Sequence, residues 1–195
     1  MELCLRNGYE NTTVEQIAAA ADVSPRTFSR YFATKDAAFM TLIEDYSHEV
    51  SIELEKVPLE VGPLEAMRQA HVAFLTRVAS RQVGRLTTER IILMLRVINA
   101  SDTLRRSAFE YRHGPSEFIL AKRMGVDVDD RRRLLVGSVF ASTIVTACGD
   151  LITDTDGFRL GPMVMVDRIN EAFDQLARMA SDLQAPASDY ESVYG

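Results

Sequence analysis

Arg26, Ser29 and Arg30 stand at i, i+3 and i+4, so on a helix they share one face. Two guanidinium forks and a hydroxyl at that spacing suit contact with base edges. Arginine donates in a bidentate way to guanine O6 and N7 in the major groove, and serine can donate or accept. Residues 24–35 hold Arg26, Arg30 and Lys35 and no acid, whereas the whole chain carries a net charge of −6. The positive charge is therefore concentrated at one place. An acidic chain repels nucleic acid, so any binding through this patch must be local and salt-sensitive. A charged face taken alone is most often just solvated, and the elements around it must decide.

Those elements are two short helices and a tight turn. Thr12 with Glu15 three positions on forms a capping box, which predicts a helix start at Thr12. Val14, Ile17, Ala18 and Ala21 then recur at helical spacing as its apolar face. Asp22 falls where the chain must reverse, and aspartate tolerates the left-handed conformation better than most residues. Val23 is expected to plug the corner. Ser24 is a good N-cap, and Pro25 occupies the first helical position, where proline is best tolerated. Phe28, Tyr31 and Phe32 form the expected buried face of this helix, opposite Arg26, Ser29 and Arg30. Two capped helices, a turn and an aromatic plug together predict a helix-turn-helix.

The run GYENTTVEQIAAAADVSPRTFSRYFATKDA resembles the DNA-binding domain of the tetracycline repressor (TetR) family. The resemblance rests on Gly8-Tyr9, Thr12-Thr13-Val14, Ile17-Ala18, Val23-Ser24, Phe28, Tyr31, Phe32 and Lys35. It implies an all-helical homodimer with a variable C-terminal ligand domain, and repression relieved by a small-molecule inducer. It also implies that Thr13 and Lys35 contact phosphates of a double-stranded DNA operator. Pro25, Arg26, Thr27, Ser29, Arg30 and Tyr31 would lie in or beside the major groove. The chain departs from the family pattern at Asp22, usually glycine, and at Ser29, usually tyrosine. Its first helix is also short: seven residues, MELCLRN, precede Gly8, fewer than an isolated helix needs. A second reading follows from that shortness: a helical small-molecule-binding or adaptor protein of the same fold without sequence-specific DNA binding.

Beyond the reader every long segment has helical period. The expected helices are 36–56, 63–80, 84–99, 101–124 (bent near Gly114-Pro115) and 130–150, followed by a loop at 157–162 and a last helix. The fold expected is all-α: a three-helix N-terminal reader over 1–45, a ligand-binding and dimerisation domain over 46–183, and a disordered tail over 184–195. The segment 130–150 is apolar or small almost throughout, which predicts burial on several sides. Val166, Ile169, Phe173, Leu176, Ala180 and Leu183 are spaced alternately 3 and 4, a coiled-coil-like seam. Together these predict a homodimer interface from residues 130–150 and 162–183; an internal core helix is the plainer alternative.

A mostly apolar ligand is expected among the middle helices. Met67, Phe74, Met94, Phe109, Phe118 and Phe140 would form its walls, and His71, Tyr111, His113 and Thr143 would orient it. Each has a plainer reading. A lone histidine on an apolar face is usually a hydrogen-bonded core residue, methionine is mostly core filler, and a mid-helix threonine bonds back to its own helix. Arg131–Arg133 follow Asp127, Asp129 and Asp130 and read as a solvated helix start.

Three histidines on separate segments give no metal-spaced pair, and no nucleophile elbow, phosphate loop or zinc-protease motif occurs. No catalysis, metal or cofactor is expected. Cys4 and Cys148 are far apart and suit reduced thiols in the cytoplasm. No stretch approaches the ~20 apolar residues that span a membrane, so no membrane partner is expected.

Overall fold

The computed structural model describes residues 2–80, 86–111, 114–153 and 161–182. His113, Leu183, the tail 184–195 and most of the 157–162 loop lie outside the described residues. Among the described residues the chain is all-helical, with no strand.

The N-terminal unit holds α1 (Glu2–Asn7), α2 (Val14–Ala20) and α3 (Pro25–Tyr31). Gly8 stops α1 at φ 81°, a left-handed conformation that suits glycine. The capping box of α2 lies one residue later than predicted. Thr13 Oγ1 accepts from Gln16 N at 3.3 Å, and Gln16 Oε1 accepts from Thr13 N at 3.0 Å. Thr12 is unavailable as a cap because its hydroxyl donates to Gly8 O at 2.8 Å, sealing the end of α1. Asp22 takes the turn at φ 55°, as its position predicts. Ser24 Oγ accepts from Thr27 N at 3.0 Å, and Pro25 opens α3.

Helix α4 (Lys35–Leu54) starts on the Thr34 cap and runs unbroken through residue 45, the border expected between the two domains. Its neighbour α5 (Pro63–Ala79) forms the centre of the main core, against α4, α9 (Arg131–Thr153) and α10 (Pro162–Asp182). Phe74, Leu75, Leu54 and Ile169 are fully buried there. Arg77 of α5 reaches Glu49 at 2.8 Å and Glu53 at 3.0 Å, pinning α4 alongside. The helix expected over 101–124 is two helices, α7 (Asp102–Glu110) and α8 (Pro115–Met124). The break follows from close approach at Gly114. A Cβ there would stand 2.5 Å from Ser47 Oγ of α4 and 2.6 Å from the Tyr111 ring. Pro115 then supplies the first helical position of α8. Helix α6 (Thr88–Ala100) begins later than predicted, on a Thr87 cap.

The first half of the predicted seam of α10 faces inward, while Leu176 is half-buried and Ala180 exposed. Val166, Ile169 and Phe173 belong to the main core of the same chain. What α9 and α10 leave exposed is a different set: Leu135, Val145, Met163, Val164 and Met179. Helix α9 is thus not buried all round.

A second core joins the N-terminal unit to the rest. Cys4, Tyr9 and Phe39 pack with Met94 and Val97 of α6 and Leu104 of α7. Ser101, which caps α7, also donates to Glu10 at 2.9 Å. The α4 helix is therefore not the sole connection between the halves; α1 rests on α6 as well.

Lys35 closes this corner. Expected to face a phosphate, it instead points its ammonium at three backbone carbonyls: Tyr9 at 2.7 Å, Thr12 at 3.2 Å and Glu10 at 3.3 Å. It also lies 4.4 Å from the Tyr9 ring centre. An ammonium has three N–H donors, so these acceptors satisfy it. Tyr9 in turn donates its hydroxyl to Asp36. Burial, and then that bond, push the phenol well above its ordinary range. Lys35→Ala should lower stability by about 1–2 kcal/mol, seen as a melting midpoint lower by about 2–8 °C. An unchanged midpoint with weakened DNA binding would restore the phosphate reading.

His71 sits in the main core, 4.3 Å from the Phe140 ring and 5.7 Å from Tyr46, with Nδ1 2.8 Å from Met67 O. Burial pushes its pKa down to about 4. The unfolded chain takes the proton near pH 6.5, so this stabilising contribution is full above that pH and is lost as pH falls toward 4. Urea unfolding should show about 2 kcal/mol less stability at pH 5 than at pH 7.5 from this group. His71→Phe should flatten that part of the profile; an equally steep profile in the variant would assign the loss to other groups.

Candidate nucleic-acid interface and ligand cavity

The α2–α3 corner is built to hold one surface still. Ala18 is fully buried, Phe28 is buried, and Phe28 stacks on Phe32 with ring centres 5.2 Å apart. Ser24 fixes the start of α3 through Thr27 N, and its hydroxyl also bonds that of Thr27 at 2.9 Å. With its backbone anchored, α3 presents Pro25, Arg26, Ser29 and Arg30 to solvent, and Thr13 is exposed beside it at the head of α2. Thr27 is half-buried, with its hydroxyl engaged.

Two expectations about this corner change. Tyr31 is 69 % exposed, not part of the buried face. It joins the outward set: Arg30 Nη2 donates to its hydroxyl at 3.2 Å, and the guanidinium carbon lies 4.9 Å from the ring centre. Cation and ring hold each other in one orientation before any partner arrives. Val23 is 38 % exposed and plugs nothing; Ala18 and Phe28 fill the corner in its place. With Lys35 held by backbone carbonyls, α3 presents Arg26 and Arg30 as its exposed cations.

Behind the reader lies a cavity of about 840 Å³, bounded by α4 to α10. This falls within the ~300–1,000 Å³ of pockets that hold small molecules. Met67, His71, Met94, Tyr111 and Phe140 line it, as the sequence suggested. Phe74 does not; it is wholly buried and meets Tyr46 edge to face at 5.1 Å. Phe118 does not either, being 52 % exposed on the outer side of α8. Nor does Thr143, whose hydroxyl bonds back to Val139 O at 2.8 Å. The Phe109 side chain and His113 lie outside the described residues.

Several wall groups escaped the sequence reading. Ser47 and Ser116 share a buried hydrogen bond of 2.8 Å across α4 and α8. Arg133, taken as part of a solvated helix start, is only 2 % exposed and pairs with Glu117 at 2.6 Å. Its neighbour Arg132 fits the solvated reading, bridged to Asp130 at 2.8 Å. The hint available was Glu117, a lone acid on the α8 segment that needed a partner. His71, neutral and donating Nδ1–H to Met67 O, keeps Nε2 as an acceptor.

The cavity touches both connections to the reader. Ile43, Tyr46, Ser47 and Val50 bring α4 to its wall, and Met94, Leu95 and Ile98 bring α6. Those same helices pack on Cys4 and Tyr9 through the second core, α4 with its own Phe39. A body in the cavity would therefore contact both supports of the reader.

Among the described residues no group of histidine, cysteine and acids could hold a metal ion, and no helix is long and apolar enough to cross a membrane. The family of bacterial regulatory proteins of the tetR type matches residues 1–39. Over 165 residues the chain is 38 % identical to the HTH-type transcriptional regulator TcmR of Streptomyces glaucescens, covering 80 % of this chain and 72 % of that protein. A capped helix-turn-helix resting on a helical body with an internal cavity, and a match of this extent, place the chain in the tetR family of transcriptional regulators.

Proposed function

We propose that the chain is a ligand-responsive repressor: a homodimer that binds a palindromic operator and leaves it when a small, mostly apolar molecule enters the cavity. The observation that carries the reading is the cavity wall shared with α4 and α6, the two helices on which the reader stands. A ligand changes DNA affinity only if it prefers one placement of the two readers over another. Pressure on α4 and α6 supplies that preference, with a coupling of about 1–3 kcal/mol acting equally in both directions. Residues 1–45 then serve DNA reading and 46–183 ligand binding and dimerisation, although α4 carries no break at that border.

Base readout falls to Arg26 and Arg30, with Ser29 and Tyr31 beside them and Thr13 and Pro25 at the helix starts. Arg26→Ala or Arg30→Ala should weaken binding by about 1–3 kcal/mol and relax preference at one position per half-site. Fluorescence anisotropy with DNA flanking the chain's own gene measures this. Binding that shows no sequence preference in the parent chain would favour the adaptor reading instead.

A lone half-site reader needs a twin, since a dimer reaches two half-sites about 34 Å apart. The exposed apolar side chains of α9 and α10, Leu135, Val145, Met163, Val164 and Met179, suit that contact. Val145 also lines the cavity, so a second copy there would close that rim. Leu135→Glu with Val145→Glu should give a folded monomer in sedimentation, because unpaired charge would be buried at the contact. Phe173→Glu, by contrast, should cost the fold, since Phe173 lies in the core of its own chain. A dimer that survives the Leu135 and Val145 changes would place the contact elsewhere.

A further inference from the structure

Side chains one apart on a helix diverge by about 100° and do not ordinarily face each other. Arg30 and Tyr31 nonetheless meet. Arg30 Nη2 donates to the Tyr31 hydroxyl at 3.2 Å, and the guanidinium carbon lies 4.9 Å from the ring centre. The end of the helix makes room for this. Tyr31 is the last residue of α3, and Phe32 turns to extended backbone at φ −132° and ψ 120°. The backbone beneath the pair is anchored: Phe32 N donates to Phe28 O at 2.9 Å, and their rings stack at 5.2 Å. Arg30 and Tyr31 themselves both stay exposed.

The chemistry of the holding partner decides what the pair can do. Helix α3 carries no carboxylate, so a neutral ring holds Arg30 where an acid would neutralise it. A guanidinium has five N–H donors, and the bond to Tyr31 uses one. The remaining donors and the full charge stay available to DNA. A fork toward guanine O6 and N7 needs two of them, correctly aimed. A long side chain that is ordered only on binding loses affinity to that ordering, and one ordered beforehand avoids the loss. Fixed aim also discriminates, because a loose arginine re-aims at whichever acceptor is nearest.

We propose that Tyr31 is a positioning residue for base readout: it holds the Arg30 guanidinium in one orientation, so that Arg30 selects a guanine in each operator half-site. Tyr31 acts through Arg30 and not through a contact of its own with the phosphates. The ring supplies most of the hold, and the hydroxyl trims the aim. The inference rests on the reading of α3 as the base reader.

Selection by the full chain from a random-sequence duplex pool tests this, followed by fluorescence anisotropy on the selected duplex and its single-base variants. The parent should select a guanine at one position of each half-site that Arg30→Ala no longer distinguishes. Placing 7-deazaguanine there, which lacks the N7 acceptor, should weaken the parent and leave Arg30→Ala unaffected. Tyr31→Ala should cut the preference for that guanine about 3- to 10-fold, and Tyr31→Phe, which keeps the ring alone, by no more than about 2-fold. Preference at the other positions should hold in both variants. In an Arg30→Ala background, Tyr31→Ala should have no further effect on preference. Equal weakening on every sequence by Tyr31→Ala, repeated in the Arg30→Ala background, would make Tyr31 a direct phosphate contact and overturn the proposal. A guanine preference untouched by Tyr31→Ala would overturn it as well, with α3 still a base reader. Failure of the parent to select any sequence would overturn the base-reader reading, and this inference with it.

Discussion

The reader of this protein cannot hold itself together, and the rest of the architecture follows from that. Its helices α1, α2 and α3 run 6, 7 and 7 residues. All are well below the ~12 residues at which an isolated helix becomes even marginal. Helix α1 persists because Cys4 and the adjoining Tyr9 are buried against Met94, Val97 and Leu104, side chains of α6 and α7, while α2 and α3 pack on each other. Lys35 adds the local lock, gathering the carbonyls that end α1 and precede α2. A reader whose first helix takes its core from the C-terminal helices is mechanically tied to them. This is a physical basis for regulation that needs no special hinge.

The cavity shows the complementary economy. Several of its polar groups are engaged with the protein itself. Ser47 and Ser116 satisfy each other, His71 is tied to Met67 O, and Glu117 is paired. An apolar wall with few unmet polar atoms binds by shape and burial, and the unmet atoms then set orientation. The same burial that keeps His71 neutral leaves its Nε2 an acceptor of fixed sense on the wall.

Much of the reader was legible in the sequence because its signals are local. Ser24 and Pro25 start α3, Asp22 adopts the left-handed turn, and Gly114-Pro115 breaks a long helix, all through backbone chemistry within a few residues. What the sequence hid was direction. Val166, Ile169 and Phe173 show a stripe, but a stripe does not say whether its partner is another helix of the chain or a second copy. Tyr31 and Phe28 are both aromatic on one short helix, yet only Phe28 is buried. Lys35 and Arg133 were read as surface charges because most charges are. Their pairing depends on carbonyls and a carboxylate brought from 16 to 26 residues away. The ligand residues divided the same way: Met67 and Phe140 face the cavity, while Phe74, of identical character, lies one layer deeper.

The central claim is that α6 supports the reader and borders the cavity at once. Hydrogen–deuterium exchange of the full chain with Val97→Ala tests it most directly, because Val97 is fully buried in the core shared with Cys4 and Tyr9. The account predicts faster exchange in α1, α2 and the first turns of α4 as well as in α6. Loss of protection confined to α6 and α7, with α1 and α2 unchanged, would contradict it and leave the reader an independent module.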